Sequence, residues 1–146
     1  MTGKLRALLF AALLFAGPFA VLLAAAGANP AAAANADYDQ TWSEASAAVV
    51  TFAAASFDSA GTDAKAVHRE TAERHGDALA QLSAKLPPPG YAAMHWRLLT
   101  LHDEIDSAMT MVVDSEERDD DAGAQAGWLA FGRAVRGLNH ATVEPK

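Results

Sequence analysis

The sequence predicts an all-α protein: an antiparallel up-and-down four-helix bundle behind an N-terminal signal or anchor helix. Three observations predict it. Apolar residues recur at alternating spacings of three and four through residues 38–140. Only Gly and Pro clusters and one acidic run interrupt that period. No stretch shows the two-residue alternation of a half-buried strand.

The N-terminus has the three parts of an export signal. Lys4 and Arg6 precede the charge-free run Ala7–Ala26, and Ala34-Asn35-Ala36 offers small residues for cleavage. Residues 1–36 are therefore expected to be a signal peptide, and residues 37–146 the helical bundle domain. The alternative is an uncleaved membrane anchor, because Leu5–Ala28 has the roughly 20 apolar residues that span a bilayer. Either way the bundle is expected outside the cytoplasm, periplasmic, secreted or membrane-anchored. Cleavage after Ala36 removes Lys4 and Arg6 but none of the 18 acidic residues, so the net charge moves from −7 to −9. So acidic a surface repels phosphate backbones, which excludes nucleic acid as the expected partner. The chain has no cysteine, which excludes disulfides, thiolate zinc sites and cysteine nucleophiles. Apolar packing alone must hold it together.

The first helix is expected over Tyr38–Ser59, with Tyr38, Trp42, Ala45, Val49, Phe52 and Ser56 as its stripe. The second begins near Thr62-Asp63, both good N-cap types, and stops at Pro87-Pro88-Pro89. Its stripe is Ala64, His68, Thr71, His75, Ala78, Leu82 and Leu86. The third runs from Tyr91 to about Glu117 on Tyr91, Met94, Leu98, Leu101, Ile105, Ala108 and Val112. The fourth runs from Asp121 to about His140 on Ala124, Trp128, Phe131, Val135 and Leu138, with acids at its positive end. Short connections favour antiparallel neighbours. A three-helix body with a separate first helix is the main alternative.

Histidine is where chemistry could reside. His68 and His75 are seven apart on the second helix, as are His95 and His102 on the third, with Met109 seven further on. Counted from the turn at Pro88, His75 and His102 stand at nearly the same height, and His68 stands level with Met109. Imidazole and thioether suit copper, and bundles hold haem, so His68, His75, His102 and Met109 form an alternative metal or haem site. The adopted reading is structural: His95 and His102 are expected at the border of their stripe, bonded to carboxylates such as Asp106. Seven-residue spacing arises in any heptad-built helix, and no ligand pair stands at i, i+4. The run Asp114–Asp121 lacks the spacing of a calcium loop and is expected to be solvated. Trp96 and Arg97 lie off the main stripe, with the composition of a partner-binding anchor.

No nucleophile elbow, helical zinc pair or phosphate-cradling loop occurs, so no enzyme is expected. The expected function is an exported, non-enzymatic helical-bundle module that binds a protein partner or serves a structural role in the bacterial envelope. It has no cofactor in this reading, and copper or haem in the alternative. Membrane contact is expected only through residues 5–28, if they are retained.

Overall fold

The computed structural model describes residues 30–57 and 63–143, with side chains for 36–57 and 63–141. The apolar run read as part of an export signal therefore lies outside the described residues, as do Ser59 and Thr62. Those described form four helices and no strand: α1, Pro30–Ala55; α2, Ala64–Ala84; α3, Ala92–Glu117; and α4, Asp121–Val143.

The local chemistry explains the boundaries. α1 starts eight residues before the expected Tyr38. Alanine is the strongest helix former, and proline fits the first helical turn, so Pro30–Ala36 extends the helix rather than leading into it. Asp63 caps α2, its Oδ1 accepting from the Ala66 N–H at 3.3 Å. The prolines then stop α2, and Gly90 takes φ 86°, a left-handed turn before α3. α3 ends in a Schellman motif: Asp120 N–H bonds Ser115 O at 2.8 Å and Asp119 N–H bonds Glu116 O at 3.3 Å. Asp119 occupies the left-handed position, φ 52°. Asp120 in turn accepts from the Gly123 N–H at 2.9 Å and so caps α4.

Consecutive helices pack antiparallel. Lys85, just past α2, reaches back to Asp37 and Thr41 in α1 at 2.9 and 2.7 Å. Lys65 at the start of α2 meets Asp119 beyond the end of α3 at 2.7 Å. The circuit closes through Phe52 of α1, whose ring stacks near Trp128 and Phe131 of α4. α1 is thus no separate helix: Val49, Phe52 and Ala53 share one core with Ile105, Met109, Val112, Phe131 and Val135. The arrangement is consistent with a four-helix bundle. A second, smaller cluster of Ala45, Ala78, Leu79 and Leu82 fills the end nearest the proline turn.

Three stripes face inward as expected, apart from Ser56 and Leu86, and the third does so only in its C-terminal half, where Ile105, Ala108 and Val112 are buried. In α3 Tyr91 and Met94 are exposed, and Leu98 and Leu101 are half-buried. Toward the start of α3 the buried face follows His95 and His102 instead, and it continues through Ile105, Ala108, Met109, Val112 and Ser115. α3 and α4 approach closely at Gly127, where a Cβ would stand 2.8 Å from Val112 Cγ2 and 2.9 Å from Val112 N. Gly127→Ala should therefore lower stability. Overpacking against backbone costs about 1–3 kcal/mol, more than the roughly 1 kcal/mol that alanine contributes within a helix. A denaturant midpoint that rises in this variant would contradict the close approach.

Candidate functional site

The distinctive interior feature is a column of four histidines, His68, His75, His95 and His102, each 2% exposed or less. His68 and His75 lie on the inward stripe of α2 as read, whereas His95 and His102 are not at their stripe's border, as the sequence suggested, but buried. Burial is tolerated because other helices supply polar partners, and an unpaired buried imidazole would cost about 1–3 kcal/mol.

His95 lies nearest the proline turn. Tyr38 of α1 bonds its Nδ1 at 2.7 Å. Burial raises the pKa of the Tyr38 phenol and lowers that of the His95 imidazole. We assign the bond as phenol O–H donating to Nδ1, which puts the imidazole proton on Nε2. That atom and Trp42 Nε1 are buried without a hydrogen-bond partner among the described residues. Trp42 stands edge-on between two histidines, its ring centroid 6.1 Å from His95 and 5.2 Å from His102.

In the middle, α2 and α3 form a chain of three groups. Asp106 Oδ1 accepts from His75 Nδ1 at 2.8 Å, and His75 Nε2 bonds His102 Nδ1 at 3.0 Å. The two rings stack, with centroids 5.3 Å apart. The carboxylate can only accept, so Nδ1 of His75 carries a proton. The second bond can run either way. With one proton on His75, His102 donates; with two, His75 donates. His102 stays neutral in both arrangements, because burial and then the neighbouring His75 push it down to about 3.

At the far end His68 joins three helices. Its Nδ1 meets Glu116 Oε2 at 2.9 Å and its Nε2 meets Ser56 Oγ at 3.2 Å. Its ring packs on Phe52 and Trp128.

The structure thus brings together His75 and His102, as their heights implied, but not the rest of the proposed metal set. His68 turns to Glu116, one heptad beyond Met109. Side chains on a helix lean toward its N-terminus, so those on antiparallel helices lean in opposite directions and partners meet from offset backbone levels. Met109 lies in the apolar core beside Ile105 and Val112. Among the described residues no three His, Cys, Asp or Glu side chains converge as a metal-binding group. The acidic run is not simply solvated either. Glu116 bonds His68, Glu117 bonds Arg69 at 2.7 Å, Asp119 pairs with Lys65, and Asp120 caps α4.

Asp106–His75–His102 resembles an acid–base relay in connectivity, but it leads to no substrate cleft. A shallow groove lined by Glu104, Ser107, Ala130, Arg133 and Ala134 lies on the α3 face turned away from His102. The relay is suited to holding two helices in register. Its partners Tyr38, Ser56, Asp106 and Glu116 come mostly from outside the local sequence of each histidine. One signal could have found Glu116: it continues the heptad His95, His102, Met109.

Outside, Trp96 is 56% exposed and touches the edge of the His95 ring, centroids 4.9 Å apart. Arg97 is exposed beside it. Leu86, Tyr91 and Met94 are exposed near the same turn, at 93%, 60% and 40%. No family model, curated protein or solved structure matches the chain.

Proposed function

We propose that this chain is an exported, non-enzymatic helical-bundle protein, an up-and-down bundle behind its N-terminal signal or anchor, that acts as a binding module in the bacterial envelope. One observation carries the reading. Four of the histidines are sealed inside the bundle, while large apolar side chains stand on its outer surface around the proline turn. Such groups act by contact, and exposed Trp and Tyr are the side chains that most often anchor an interface. Trp96 with Arg97 is the proposed anchor for a protein partner. His68, His75, His102 and Met109 remain the ligand set of the alternative copper or haem reading.

Trp96→Ser tests the anchor. The side chain is half exposed and packs on the edge of the His95 ring, so stability should fall by only about 1 kcal/mol. Binding to the envelope partner should weaken roughly 10–100-fold, the effect of truncating an interface hot spot. Partner capture in native envelope membranes, measured for wild type and variant by crosslinking, reads the difference. Equal capture by both would remove Trp96 from the interface.

A further inference from the structure

We infer that the proline-turn end of the bundle, presenting Leu86, Tyr91, Met94 and Trp96, seats in the interfacial layer of the bilayer that residues 5–28 enter. The inference rests on the binding-module reading, with the bilayer in place of a protein as what that end of the bundle meets. Three observations lead to it.

The first is where the chain enters. α1 begins at Pro30, directly after an apolar run long enough to span a bilayer. The end of α1 nearest that run is also the end that carries the exposed group, because Asp37 pairs with Lys85 and Tyr38 bonds His95. Moreover, Ala34-Asn35-Ala36 lies within the unbroken helix α1. A peptidase takes its substrate extended, so a helical site favours the reading in which the apolar run stays attached.

The second is the chemistry of the group. Trp and Tyr, with an apolar body and a polar tip, concentrate at the membrane–water boundary, and Leu and Met reach into the acyl layer. Tyr91 and Trp96 are five residues apart on α3, or about 7 Å along its axis at ~1.5 Å per residue. That span matches the ~5–10 Å depth at which interfacial side chains sit.

The third is charge. The acidic run Asp114–Asp121 stands at the opposite end, some 30 Å along α3 by the same rise. That distance is several times the screening length of ~8 Å at physiological salt. Seated end-on, the protein keeps its acidic end clear of anionic headgroups; lying on its side would bring that end against them.

The chain has no cysteine, so Met94→Cys in the full 146-residue protein gives one labelling position, and Thr110→Cys, exposed further along α3, gives the control. Each is labelled with an environment-sensitive fluorophore and reconstituted in phosphatidylethanolamine–phosphatidylglycerol vesicles. The inference expects emission at position 94 to shift to the blue and to be quenched severalfold by spin-labelled lipid, with position 110 unchanged. If position 94 stays as water-exposed as 110, the inference falls. Shielding of both positions shows a bundle on its side and overturns it too. Shielding of 94 only in native envelope membranes points to a protein on this surface: the bilayer inference falls and the binding-module reading stands. Shielding in neither membrane removes both.

Discussion

Phe52→Ala should be the most damaging single substitution, lowering the melting temperature by roughly 15–30 °C. Phe52 is fully buried, and its ring touches His68 of α2 and Trp128 and Phe131 of α4, with centroids 4.6–5.4 Å away. Truncating a buried Phe costs about 3–5 kcal/mol, out of the 5–15 kcal/mol that holds a typical domain together. In a body of this size each kcal/mol is worth several degrees. The position tests the architecture as well as the packing. Phe52 is the residue through which α1 closes the ring of helices onto α4. If α1 were separate from a three-helix body, the same substitution would lower stability by less than about 1 kcal/mol. Val50→Ala, on the exposed side of α1, is the control and should cost under about 0.5 kcal/mol. Calorimetry of the three proteins separates the outcomes.

Acid should destabilise the fold, beginning below about pH 6.5. In the unfolded chain His102 binds a proton near the usual imidazole value; in the folded chain burial and His75 hold it down to about 3. Between those values the unfolded state binds the extra proton, so stability falls as pH falls. Below about 3 both states are protonated and this contribution to the loss ends. A full one-proton difference is worth about 1.4 kcal/mol per pH unit, so moving from pH 6.5 to 4.5 removes on the order of 2 kcal/mol. His95, lowered by burial, adds to the loss with the same sign. His102→Gln keeps a polar group opposite His75 without a titrating one. Its unfolding free energy, measured by denaturant titration from pH 7.5 to 4.5, should show a slope shallower by close to one proton. An unchanged slope would mean that His102 protonates readily in the folded protein.

The helices were legible in the sequence, and most of the polar interior was not. Pro87–Pro89 and the acidic run mark the ends of α2 and α3 because proline cannot continue a helix and acids favour the start of the next. The stripes of α1 and α4 point inward as read. The start of α1 was misplaced because alanine fits both a cleavage site and a helix. The first half of the α3 face was rotated because hydrophobicity was taken as the guide, while Ile105, Ala108 and Val112 point inward as read. Leu98 and Leu101 fill the side of α3 against α4, half-buried, while the centre of the face is His95, His102 and Met109. A buried histidine is stable only when a partner meets it, and Tyr38, Ser56 and Glu116 lie 57, 12 and 48 residues away along the chain. The pairing of His75 with His102 was readable, since it needs only the height of two residues either side of one turn. The acids of the run were read as one charged stretch, yet Glu116, Glu117, Asp119 and Asp120 each meet a different partner.

The central claim is that the histidines are internal, hydrogen-bonded parts of the fold and that the protein acts through its surface. Ring-nitrogen magnetic resonance of labelled histidine tests it most directly. The account predicts that His102 keeps one protonated and one bare nitrogen from pH 8 down to pH 5, with no change on adding stoichiometric copper or zinc. A His102 that becomes an imidazolium with a midpoint near 6.5, or His75 and His102 resonances that shift together on adding one equivalent of metal, would contradict it.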